Sequence, residues 1–141
     1  YGATDLVAAQ ELMVLTNATN GYNVTLEYNH PLRSGIYEIS DWLGTNMFPT
    51  SWASPSGAQN GYFGYTTSDT SLGVLPADRF WKNKWAGLWT LPVEVMYHNG
   101  PADGVREGVG KTEVGYRLEV TNWQESGIYS NTVTYVCTPF Y

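Results

Sequence analysis

The segment Tyr22-Asn23-Val24-Thr25-Leu26-Glu27-Tyr28 alternates apolar and polar residues over seven positions. Successive side chains of a β-strand point to opposite faces of the sheet, so this period of two predicts a strand with one buried face. The segment follows Asn20-Gly21, a dipeptide typical of tight turns. We therefore predict a half-buried strand over 22–28 that is introduced by a turn.

The same alternation recurs three times further along the chain. The predicted inward faces are Leu91, Val93, Val95 and Tyr97; Val114, Tyr116, Leu118 and Val120; and Tyr129, Val133, Tyr135 and Cys137. The last run predicts a buried, unreactive Cys137. The polar faces of the strands, which carry Arg117 and Glu119 among others, are expected to be solvated.

Weaker strand patterns at 35–40 and 61–66 bring the expected total to about seven or eight strands separated by glycine and proline turns. We predict hairpins over 15–26 and over 99–111. The resulting fold class is all-β: an antiparallel Greek-key, immunoglobulin-like sandwich of two sheets. A length of 141 residues suits a single domain over 1–141.

The opening segment 1–15 contains good helix formers but leads directly into the predicted 15–26 hairpin, which favours a strand. Two hypotheses follow for that strand. It pairs within its own domain, or it leaves and completes the sheet of a neighbouring copy, with Leu6, Leu12 and Val14 as the donor side chains.

Composition limits the partners of this chain. Charged residues make up only 14% of it and the net charge is -6, which argues against nucleic acid and anionic membranes as partners. No stretch reaches the roughly 18 apolar residues of a membrane span, so we expect no membrane insertion. The first residue is Tyr1 instead of Met, which suggests a removed leader and export.

Five of the six tryptophans lie in the irregular middle section, 41–91. Trp81, Trp85 and Trp89 are spaced by four residues, which would place them near one side of either a strand or a helix. Together with Trp52 they are candidates for a self-association surface or for a platform that stacks on sugar rings. The alternative is that these rings fill the core, as large aromatic side chains commonly do.

The chain shows no clear sign of catalysis. Its two histidines, His30 and His98, occupy predicted turn or strand-end positions, and no nucleophile, metal-protease or phosphate-loop motif is complete. The acidic residues lack the density of a calcium loop, and Cys137 has no cysteine partner in the chain. We predict a protein that is not an enzyme and uses no cofactor or metal.

Two segments resemble exported bacterial cell-surface domains. They are Thr16-Asn17-Ala18-Thr19-Asn20-Gly21-Tyr22-Asn23-Val24-Thr25-Leu26 and the closing Ser126-Gly127-Ile128-Tyr129-Ser130-Asn131-Thr132-Val133-Thr134-Tyr135. The resemblance implies a secreted β-sandwich module of a surface or filament structure, located outside the cell or on its surface. The turn before Tyr129 also resembles the tyrosine corner of immunoglobulin-like sandwiches, in which the tyrosine hydroxyl bonds back to the chain.

These observations together predict a structural subunit of an extracellular filament, pilus or surface layer whose partners are other copies of itself. The alternative function is a carbohydrate-binding or adhesive module. Asn17 and Asn23 match the N-glycosylation pattern and are candidate modification sites.

Overall fold

The computed structural model describes residues 3–57 and 60–141, so Tyr1 and Gly2 of the opening segment lie outside the described residues. Within that part the chain forms twelve strands and no helix. The strands are β1 (Ala3–Met13), β2 (Leu15–Thr16), β3 (Tyr22–Tyr28), β4 (Leu32–Ser34), β5 (Tyr37–Asp41), β6 (Thr50–Ser51), β7 (Gly61–Thr67), β8 (Lys84–Trp85), β9 (Val93–His98), β10 (Ala102–Asp103), β11 (Lys111–Thr121) and β12 (Val133–Pro139). The predicted all-β class is confirmed.

Two larger sheets share one core. The first has five strands in the order β1-β11-β7-β5-β4, and the second has three in the order β12-β3-β9. Tyr22 and Leu26 of β3, Tyr65 of β7, Val95 of β9 and Val114 of β11 are all completely buried in a common apolar cluster. The arrangement is consistent with a sandwich. It is not purely antiparallel, because β5 and β7 pair in parallel.

The predicted strand over 22–28 is confirmed as β3, the central strand of the smaller sheet, with its four apolar side chains buried. Its pairing with β9 shifts register between Val24 and Thr25. Along β9 both Val95 and Met96 are buried, although the alternation predicted Met96 on the opposite face, and Leu91 lies before the strand and is exposed. Strict alternation over 91–97 was therefore wrong, since the irregular pairing breaks the period of two.

Neither predicted hairpin is present. β2 pairs with β10, whereas β3 pairs with β9 and β12, so 15–26 contains no strand-to-strand turn. The Asn20-Gly21 turn instead bonds to the end of the chain, where the Phe140 N–H donates to the Gly21 carbonyl over 2.7 Å. Residues 99–111 carry the chain from the smaller sheet to β11 of the larger one. Over 15–26, long-range pairing takes the groups that a local hairpin would use. Over 99–111, β10 pairs with β2, and the local backbone bonds are confined to the turn at 106–111.

Cys137 is exposed, so its predicted burial was wrong. It belongs to β12, which lies at the edge of the three-stranded sheet and, within the described part of the chain, pairs with β3 alone. An edge strand has a neighbour on one side alone, which reduces the cover over its side chains. Among the described residues, no helix is long and apolar enough to cross a membrane.

Candidate functional site

β1 is a long edge strand with little cover. It pairs antiparallel with β11 over its whole length, from Ala3 opposite Thr121 to Met13 opposite Lys111. Every residue over 4–11 is exposed, and Leu6 and Val7, which point to opposite faces, are 56% and 64% exposed. No described strand pairs with its outer edge. Such an edge, with free N–H and C=O groups and apolar side chains, is a template for another chain.

Two ion pairs attach β1 to β11. Arg117 donates from Nε and Nη2 to the two carboxylate oxygens of Asp5 over 2.9 and 2.7 Å, and Lys111 Nζ lies 2.8 Å from Glu11 Oε2. The hydrogen bond with Glu11 raises the pKa of Lys111. Asp5 and Glu11 are six residues apart, and so are Lys111 and Arg117. This matching spacing is visible in the sequence, but the sequence analysis did not identify it.

Arg117 lies within an aromatic cluster formed by Trp42, Trp52, Tyr62 and Trp85. The Trp42 and Trp52 rings stack at 4.3 Å with an interplanar angle of 2°, and Trp85 meets Trp52 edge-on at 6.0 Å. Arg117 Cζ lies 4.9 Å from the Trp52 ring centroid and 5.6 Å from that of Trp85. The cluster forms a packed layer on the face of the five-stranded sheet that carries Arg117.

Glu119 lies on the same face of β11 and is completely buried. Its carboxylate accepts hydrogen bonds from the Ser56 backbone N–H at 3.1 Å and the Ser56 hydroxyl at 2.5 Å. Burial opposes its ionisation, yet these hydrogen bonds lower the pKa of Glu119 below its usual value. The expectation that Arg117 and Glu119 face solvent was wrong, because the middle section of the chain covers this face.

The four predicted platform tryptophans do not share one surface. Trp52 and Trp85 are buried in the aromatic cluster, whereas Trp81 and Trp89 are 61% and 50% exposed. Between Trp81 and Trp85 the chain turns through Lys82 and Asn83, which have φ angles of 61° and 59°. Because 81–89 is neither one strand nor one helix, the spacing of four does not align the rings.

The three donor candidates have different surroundings. Leu12 and Val14 pack partly buried against the core, and the Val14 N–H donates to the Gly110 carbonyl over 2.8 Å. Leu6 instead lines an apolar groove of about 230 Å³ whose other walls include Phe63, Tyr116 and Leu118. Leu12 near the end of β1 and Val14 just after it are therefore held against the core, whereas most of β1 buries little of its surface.

Other predicted residues are placed as follows. The Tyr129 hydroxyl donates to the Glu125 carbonyl over 2.8 Å, a bond directed back along the chain. Asn17 is exposed and Asn23 is half-buried in β3. His98 packs against the ring of Tyr22, and Glu94 lies 4.0 Å from Arg79. Over residues 3–57 and 60–141, no cluster of three or more metal-binding side chains is present.

Comparison with known proteins gives no relative: no family model, no curated protein and no solved structure matches this chain.

Proposed function

We propose that this protein is a structural subunit of an extracellular filament, pilus or surface layer, and that it self-associates through β1. The main support for this proposal is the exposure of β1 on both faces, together with its unpaired outer edge among the described strands. Because Leu6 and Val7 have little cover, β1 can leave its own domain with little loss of burial, and the low charge of the chain favours close approach of a second copy. The role requires no catalysis, cofactor or metal.

Exchange of β1 between copies is the form of association that we favour. Backbone pairing and two ion pairs hold most of β1, and an identical strand from a neighbour would reproduce all of them. Replacing a strand by its equivalent therefore costs little in contacts, which is why domain swapping is an accessible route to assembly. The single residue Val14 separates β1 from β2.

A cross-linking experiment tests the exchange. Glu11 and Glu113 lie directly opposite each other and are both exposed. One chain carries Glu11→Cys and a second carries Glu113→Cys, each with Cys137→Ser to remove the native thiol. The Cα separation of directly paired residues in an antiparallel ladder suits a disulfide. We expect a disulfide-linked dimer on a non-reducing gel when the two chains are assembled together.

The control is one chain that carries both new cysteines. If this chain forms an internal disulfide while the mixture gives no dimer, β1 pairs only within its own chain and exchange is refuted. Filaments or sheets in electron micrographs of the wild-type protein are the expected evidence for assembly. A protein that stays monomeric at high concentration would contradict the proposed function itself.

The finer architecture belongs to the same proposal. We propose a Greek-key, immunoglobulin-like arrangement of the two sheets, as in the cell-surface domains that the chain resembles. The bond from Tyr129 to the Glu125 carbonyl supports it, because a tyrosine corner stabilises the turn before a sheet-crossing strand. An experimental structure in which the strand order differs from a Greek key would remove this part of the proposal.

Carbohydrate binding is the second candidate function. Its support is the exposure of Trp81 and Trp89, since only exposed rings can stack on sugars. Glycan titration should then change the tryptophan emission, and Trp81→Ala should abolish that change. An unaltered emission across a broad glycan set would count against this candidate.

A further inference from the structure

Arg117 depends on β1 for its charge partner. Its side chain is only 10% exposed, and the aromatic residues that surround the guanidinium carry no negative charge. Asp5 supplies that charge through two parallel hydrogen bonds. An almost buried cation that loses its partner is strongly unfavourable. A strand that lacks an acid at this position would therefore bind poorly to β11.

Lys111 provides the second charge contact at the other end of the ladder. It lies on the same face of β11 as Arg117, six residues away, and pairs with Glu11. Between the cations this face of β11 carries Glu113 and Gly115, with Glu113 directly opposite Glu11 and Gly115 opposite Ala9. The strand that occupies the site thus matches the two cations in spacing and places a small residue against the glycine.

We infer that the edge of β11 selects its partner strand by charge: it binds residues 3–13 of a second copy through two carboxylates six residues apart. This inference rests on the proposed exchange of β1. The second copy is the occupant because its own Asp5 and Glu11 complement Arg117 and Lys111. Each subunit therefore carries both the strand with the two carboxylates and the edge with the two cations that pair with them.

Charge reversal at the more exposed pair tests this inference in the full chain. The variants are Glu11→Lys, Lys111→Glu and the double variant, with Glu125→Lys as a control that changes the net charge away from β1. Each single variant carries the same mismatch whether β1 pairs with its own β11 or with that of another copy, so each variant alone should exchange β1 as wild type does. The double variant and the control should assemble as wild type does.

Mixing the two single variants is the decisive step. In an alternating assembly, the lysine introduced at position 11 of one copy meets the glutamate introduced at position 111 of the next. The native pair of Glu11 and Lys111 forms at the following contact, so every site is matched. In the mixture a mismatch remains only where β1 folds back on its own chain, so we expect the mixture to assemble about two- to fivefold more than either variant alone, the range for an exposed ion pair. Circular dichroism of each variant verifies that it is folded.

The failures are distinguishable. If the Glu11→Cys and Glu113→Cys chains cross-link to each other but the mixture of charge variants assembles no more than either variant alone, exchange holds and the charge code is wrong. A double variant that assembles less well than wild type would also overturn the code. If cross-linking between chains fails, the proposed exchange is refuted and the code falls with it.

Discussion

The guanidinium of Arg117 lies over the ring of Trp52, 4.9 Å from its centroid, and also donates a hydrogen bond of 2.9 Å to the Trp52 carbonyl. One side chain of β11 therefore holds both the ring and the backbone of the middle section. Its remaining nitrogens bond Asp5 of β1. Arg117 thus joins an edge strand, a central strand and the covering segment at a single point.

Arg117→Lys should lower the free energy of unfolding by about 2–3 kcal/mol, because an ammonium cannot bond Asp5 through two nitrogens while stacking on Trp52. Urea denaturation followed by circular dichroism measures this loss. Arg106→Lys is the matched control, since Arg106 is 69% exposed in its pair with Asp103 and its replacement should have no measurable effect. Equal losses in the two variants would contradict the anchoring role of Arg117.

Glu119 should make the protein sensitive to acid. The pKa of Glu119 is lowered in the folded state from its ordinary 4.5, so its stabilisation is complete above about pH 4.5 and is lost as the pH falls through the folded value. Glu119→Gln should cost about 1–3 kcal/mol at neutral pH, because its amide cannot accept all the bonds that the carboxylate accepts. The free energy of unfolding of the Glu119→Gln variant should also fall less steeply than that of wild type as the pH drops from neutral to below 4.5. An identical acid slope in both proteins would show that other carboxyl groups dominate.

Gly61 should tolerate no side chain. Its φ angle is 98°, and an added Cβ would lie 1.8 Å from the Glu119 carbonyl oxygen in the adjacent strand. We expect Gly61→Ala to cost more than about 3 kcal/mol or to prevent folding, because backbone must move. Gly35→Ala is the control: its φ angle is 61°, nothing lies within 4 Å, and the conformational cost alone is about 1–2 kcal/mol. Thermal melts that rank the two variants equally would refute the close approach of β7 and β11.

Tyr129→Phe should lower the free energy of unfolding by about 1 kcal/mol, since it removes the hydroxyl that bonds the Glu125 carbonyl. Tyr141→Phe is the matched control, because that side chain is 81% exposed at the end of the chain. Chemical denaturation should separate the two variants. If both behave as wild type, the Tyr129 bond does not stabilise this turn.

Local sequence pattern predicts much of the fold where one face of a strand is apolar throughout. β3 has the predicted bounds, and β7 and β11 contain their predicted segments, since the two-residue period of Tyr22, Val24, Leu26 and Tyr28 reflects the geometry of an extended chain. The prediction fails where the irregular section between 41 and 91 folds over a second face. Nothing local to Arg117 or Glu119 indicates a covering layer that includes Trp52, 65 positions from Arg117.

The sequence by itself determined the all-β class, because alternation and turn residues act over a few neighbouring positions. Only the tertiary structure decided which strands pair, which tryptophans are buried and which carboxylates meet Arg117 and Lys111. Those outcomes depend on contacts between distant segments, and the free energy of such a contact depends on both residues that form it. The Asp5 and Arg117 pair, separated by 112 positions, is formed in this way.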